Sequence, residues 1–167
     1  SNYQLYPLAY STSIVAVNVN NPLDEISINR LSGTFGSHEE LSLSTWSEIG
    51  LSGWGNRGIK PIVGQLDGSI SLELFKHIAF EGSKLRSTVN LLKNNAALSI
   101  ISNDVAAIAI LPMNPEDKYI KVLSVAKDQD SPAFEPSDDN IHFGDYPFRL
   151  SFFIVLLKSE VPNLAYI

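Results

Sequence analysis

The sequence predicts an α/β domain, a mixed central sheet flanked by helices, and three observations carry that reading. Short apolar runs rich in β-branched residues, such as Ser13–Val19 and Val105–Leu111, end at turn residues in the way of buried strands. Between them the apolar spacing switches to a helical period, as at Leu72, Phe75 and Ala79. Strand-like and helix-like segments interleave along the whole chain, which argues for layered α/β packing against an all-β sandwich.

Taken in order, Ser13–Val19 is a buried strand stopped by the turn signal Asn20-Asn21-Pro22. Ser27 can cap a short helix carrying Ile28, Leu31 and Phe35, and Ser44 a shorter one carrying Trp46 and Ile49 before Gly50. A glycine-rich loop, Gly53 to Gly58, leads into the strand Ile59–Val63, where Pro61 suggests an edge or a bulge. After Gly68 comes an amphipathic helix through Ala79. Leu85, Val89 and Leu92 suit a further helix, and Ala96–Ser102 another. Val105–Leu111, closed by Pro112, and Tyr119–Val125 are the next strands. A polar loop from Lys127 to Asp145 precedes a last strand, Phe148–Leu157.

The 167 residues are ordinary for one domain, so a single domain over 1–167 is expected. Hydrophobic residues make up 44 % and charged residues 18 %, enough apolar material to offset chain entropy. A formal charge of −6 sets an average field against nucleic acid. With no cysteine, disulfides, thiolate nucleophiles and Cys-based zinc sites are excluded together. No apolar stretch reaches the roughly 18 residues of a membrane span.

Catalytic and metal constellations are not legible. His38, His77 and His142 are dispersed, without metal-ligand spacing. Gly53-Trp-Gly-Asn-Arg-Gly58 matches G-x-G-x-x-G but precedes a strand, so it lacks the dinucleotide-binding context. Asp128, Asp130 and Asp139 lie in a loop whose Pro132 spoils a calcium-loop register. Trp46 and Trp54 are expected to pack rather than stack on a ligand. Neither enzyme activity nor a cofactor is therefore expected.

The segment with most chemistry is Val63-Gly-Gln-Leu-Asp-Gly-Ser-Ile-Ser71, where a strand hands over to a helix. Such a turn presents unpaired N–H groups of a helix's first turn, and the helix dipole adds partial positive charge, a geometry that binds anions. Gly68 would admit close backbone approach, and Ser69 and Ser71 add hydroxyl donors. Equally, Ser69 can be a plain N-cap and Gly68 a plain turn residue.

Several segments in order carry a resemblance: Ile28–Gly36, Thr45–Gly50, Ile59–Ile62, Asp67–Ser71, Val105–Ile110 and Asn140-Ile-His-Phe-Gly-Asp-Tyr-Pro147. Together they resemble the second lobe of the periplasmic phosphate-binding proteins, the substrate-binding components of phosphate ABC transporters. The resemblance implies one lobe of a type 2 periplasmic-binding-protein fold, with hinge strands at about 13–19 and 148–157. It implies a facing lobe built by chain outside these residues, a small phosphate-like anion between the lobes, a membrane permease as partner and a periplasmic or extracellular location. Its ligand loop reads Arg-x-x-Gly-Ser-Gly-Thr, which places the ligand contacts at Gln65, Gly68, Ser69, Ile70 and Ser71. Gln65 stands where that pattern has Arg, Ile70 where it has Gly, and Ser71 where it has Thr. The alternative is a non-transport binding or interaction domain that kept the fold and lost the phosphate site.

Overall fold

The computed structural model describes residues 3–37, 40–80 and 84–157, with 3–9 and 153–157 described at the level of backbone alone. His38 therefore lies outside the described residues. The chain opens with β1 (Tyr3–Thr12), a strand not expected from the sequence, and continues through β2 (Ile14–Asn18), β3 (Glu25–Ser27), α1 (Ile28–Phe35) and α2 (Trp46–Ile49). Next come β4 (Lys60–Gln65), α3 (Ser71–Phe80), β5 (Asn90–Lys93), α4 (Asn94–Asn103) and β6 (Ala107–Leu111). The remaining elements are β7 (Ile120–Val122), β8 (Ser124–Ala126), β9 (Ala133–Phe134), α5 (Asp138–Phe143) and β10 (Arg149–Leu157).

Five strands form the central sheet in the order β5-β4-β6-β2-β7. β5, β4 and β6 run parallel, while β2 is antiparallel to both its neighbours, so the sheet is mixed. Strands β2 and β6 are buried at every position. They read as unbroken apolar runs because helices cover both faces of the sheet. On one face Val15, Val17, Val63, Ile108 and Ile110 pack with Leu31, Phe35, Phe75 and Phe80 of α1 and α3. On the other, Ile14, Ala16, Ile62, Ala109 and Leu111 pack with Ala97 and Ile101 of α4. The sheet is thus sandwiched between helical layers, as the period-two and period-3.6 segments require.

Local signals explain most element ends. Ser27 Oγ accepts the N–H of Arg30 at 3.2 Å and caps α1. Thr45, not Ser44, caps α2: its Oγ1 accepts the Glu48 N–H and donates to the Glu48 carboxylate at 2.9 Å, and Gly50 ends the helix at φ +113°. The turn after β2 is tied down by Asn18, whose amide donates to the carbonyl of Ile101 and accepts the N–H of Asn20, both at 2.9 Å.

Further expectations change. Leu85–Leu92 does not form a helix; Asn90–Lys93 is the edge strand β5, paired in parallel with β4. Pro61 sits on no edge: β4 lies between β5 and β6, and Lys60 N–H donates to the Ala106 carbonyl on the β6 side. Alternation turns the missing Pro61 donor toward β5, whose pairing begins only at Ile62 with Asn90, so no ladder bond is lost. Residues 119–125 split into β7 of the central sheet and β8 of a small sheet β3-β8-β9, because Leu123 N–H is drawn to the Val15 carbonyl between them. Within the polar 127–145 loop, Ser137 caps the short α5 and Gly144 ends it at φ +80°.

β1 and β10 form a separate antiparallel ribbon, paired from Tyr3 with Leu157 to Thr12 with Arg149 with a one-residue register shift between Pro7 and Ala9. The ribbon meets the central sheet where Ser13 N–H donates to the Phe148 carbonyl at 3.2 Å. Among the described residues no helix is long and apolar enough to cross a membrane.

Candidate ligand-binding loop at the end of β4

At the carboxyl end of β4 the chain turns through residues 66–70 into α3, the position where open α/β sheets hold ligands. Ser69 N–H donates to the Leu66 carbonyl at 3.0 Å and closes the turn. Gly68 takes φ +81° with nothing near its Cα hydrogens, so it serves the turn's left-handed conformation and also leaves the backbone open to solvent. The Ile70 carbonyl accepts the Leu74 N–H at 2.9 Å, the first bond of the helix. Ser69 Oγ accepts the Ser71 N–H at 3.2 Å, so the serine does cap one donor of the first turn. The N–H groups of Ile70, Leu72 and Glu73 have no partner among the described residues.

The five expected contact residues divide. Gln65 and Gly68 are exposed, Ser69 and Ile70 half-exposed, and all four border the turn. Ser71 is 3 % exposed. Its hydroxyl lies 3.2 Å from the Leu111 carbonyl and 3.3 Å from Ser13 Oγ, turned into the core away from the turn. These bonds anchor the loop from behind, and the residue also borders the cleft over the loop.

Over the loop lies a cleft of about 290 Å³ reaching from Gly64 to Glu73. Its charged lining is Asp67 and Glu73, with no Lys or Arg. The free N–H groups attract negative charge and the two carboxylates oppose it. Sequence reasoning passed over both acids, because only the fold brings the end of β4 and the first turn of α3 around one cleft. Lys93 is in register with Gln65 on the neighbouring strand and is exposed, yet it is not part of the lining.

The tryptophans pack. Trp46 is fully buried and donates through Nε1 to the Ala106 carbonyl at 3.0 Å; Trp54 leans on it at 5.7 Å between centroids and carries the Arg57 guanidinium on its ring.

No family model and no curated protein sequence matches the chain. Solved structures do. A possible phosphate-binding protein from Planctomyces limnophilus superposes with a TM-score of 0.75 at 19 % identity, over 99 % of this chain and 60 % of that one. The fold is that of a type 2 periplasmic-binding-protein lobe. An ABC-type phosphate transport receptor from Vibrio cholerae superposes with a TM-score of 0.71 at 16 % identity, over 99 % of this chain and 66 % of that one. A putative phosphate ABC transporter substrate-binding protein with bound phosphate from Clostridium perfringens gives 0.68 at 17 %, over 94 % and 60 %. The chain spans between three fifths and two thirds of the length of these structures.

Proposed function

We propose that this lobe belongs to an extracytoplasmic solute-binding protein that serves a membrane permease, and that the loop from Gly64 to Glu73 is its share of the ligand site. The observation that carries this reading is the loop's position, at the carboxyl end of β4 and the first turn of α3, on a lobe shaped like those of phosphate-binding proteins. Gln65 and Ser69 supply side-chain donors, Gly68 leaves the backbone open, and the unpartnered N–H groups of Ile70, Leu72 and Glu73 are available to an oxygen of a small anion. Ser71 positions these groups through its buried bonds.

Phosphate-like anions are the ligand class that the free N–H groups favour, and Asp67 and Glu73 hold the affinity down. Two or three hydrogen bonds to a charged ligand contribute about 1.5–3 kcal/mol each, against an association cost of at least about 4 kcal/mol. The balance from this loop alone is an affinity of about millimolar. The two carboxylates also favour a second reading, a binding domain that kept the lobe and lost the phosphate site.

Calorimetric titration of the full-length polypeptide with phosphate, sulfate and a neutral polyol separates these readings. Saturable binding of phosphate or sulfate, weakened by Ser69→Ala, supports the solute-binding reading. Failure of every probe to bind removes it in favour of the second.

A further inference from the structure

A second cleft, of about 680 Å³, opens at the base of β10 and shares no lining residue with the cleft over the loop of β4. Its apolar wall comes from Ile28, Ile78 and Leu150, and its charged groups are Lys127 and Arg149, with no carboxylate in the lining. In a chain of net charge −6 this is a local reversal of sign. Neither cation makes an ion pair among the described residues; those recorded are Lys60 with Asp104 and Lys121 with Asp24.

Arg149 is also held in place. Its Nη1 donates to Ser151 Oγ at 2.6 Å, and its guanidinium carbon stands 5.4 Å from the centre of the Tyr10 ring. Tyr10 is fixed in turn by a 3.1 Å hydrogen bond between its hydroxyl and His142 Nδ1. Gly144, whose left-handed φ of +80° already favours glycine, borders the seat: a Cβ there would stand 2.8 Å from Nη2 and would displace the guanidinium from its present position. This half-buried guanidinium lines the cleft and uses one N–H group on Ser151, so its other N–H groups remain for a ligand.

We infer that this cleft binds a small organic carboxylate with a short apolar chain, the carboxylate on the Arg149 fork with Lys127 beside it and the chain against Ile28, Ile78 and Leu150. The planar guanidinium matches a carboxylate through two parallel N–H bonds, which a point charge does not. The volume is that of a small-molecule pocket, and its mixture of apolar wall and few polar groups is what such pockets carry. This site is separate from the loop of β4, so its fate does not depend on the solute-binding reading.

The test titrates the full-length polypeptide with hexanoate, with hexanol and with inorganic phosphate, following the Tyr10 and Leu150 resonances by NMR. Saturation by hexanoate is expected, with no response of these resonances to hexanol. Lys127→Gln, on an exposed side chain, and Arg149→Gln are each expected to weaken hexanoate by about tenfold or more. Should Arg149→Gln fail to fold, Lys127→Gln decides. Binding of hexanol or inorganic phosphate as tight as that of hexanoate, unchanged affinity in Lys127→Gln, or no saturation by hexanoate would each overturn the inference.

Discussion

Ser13 Oγ donates to the carbonyl of Ser71 across 2.6 Å, joining the entrance of β2 to the first turn of α3. Every polar group of Ser13 is engaged: its N–H donates to the Phe148 carbonyl, and its own carbonyl accepts the Tyr146 hydroxyl at 2.6 Å. This buried node holds the loop of β4, the base of the ribbon and the central sheet in one arrangement. It is why Ser71 belongs to the scaffold of the candidate site.

Ser71→Ala is expected to destabilise the fold by about 1–2 kcal/mol, since it removes the hydroxyl from the Leu111 carbonyl and leaves Ser13 with one partner fewer. Any ligand affinity of the loop should survive once the protein is folded. Ser69→Ala should cost about 1 kcal/mol through the lost cap on Ser71 N–H, and should weaken ligand binding as well. Urea denaturation midpoints and titration of both variants check the contrast; equal effects on affinity would put Ser71 back among the ligand contacts.

Tyr146 is fully buried, and that burial raises its hydroxyl pKa far above the ordinary value of 10, only partly offset by the backbone at Val15. The unfolded chain releases this proton near pH 10 while the folded chain retains it, so above that pH the unfolded state binds fewer protons and stability falls as pH rises. Tyr146→Phe should cost about 1–2 kcal/mol at neutral pH by stranding the Ser13 carbonyl. It should also show a shallower loss of stability between pH 9 and 11, roughly the range in which an unperturbed tyrosine titrates. Parallel slopes for the two proteins over that interval would contradict this.

Asp104 links α4 to β4 through a 2.6 Å ion pair with Lys60 and accepts the Ala106 N–H at 2.9 Å. Burial pushes its pKa up, and the Lys60 hydrogen bond, the Ala106 N–H and the charges of Lys60 and Arg57 together pull it below the ordinary 3.8. The stabilisation is complete above that value and is lost as pH falls through the lower folded value. Because Lys60 is well exposed, Asp104→Asn should cost no more than about 1 kcal/mol at neutral pH, and the cost should be smaller at pH 2, where the carboxylate moves toward its protonated form. Thermal melts at the two pH values measure the difference.

Gly64 leaves β4 bare where α4 packs. An added Cβ would stand 3.1 Å from Ala97 Cβ, from Asn94 Oδ1 and from Leu111 Cδ2. Ala97 and Leu111 are fully buried, and Ala97 cannot rotate away, so Gly64→Ala is expected to destabilise by about 1–2 kcal/mol. A stabilised variant in chemical denaturation would mean that α4 shifts freely over the strand.

The apolar runs of β2 and β6, the capped start of α1 and the helical period of α3 determined the α/β class from the sequence alone. Each of these signals is local: a strand buried on both faces must be apolar throughout, and a cap binds an N–H three residues away. Tertiary structure decided what depends on distant partners. A short apolar run such as Leu85–Leu92 has no periodicity that separates strand from helix, and the free edge of β4 recruited it into β5. β1 takes its strand conformation from β10, nearly 150 residues away in the chain. The loop of β4 was legible as a possible anion turn, but the bonds that hold the Ser71 hydroxyl come from Ser13 and Leu111, 58 and 40 residues distant. The seat of Arg149 likewise depends on Tyr10, brought beside it by the ribbon. Hydrogen bonds and ring contacts across such separations are set by how the layers close, and spacing along the chain does not encode them.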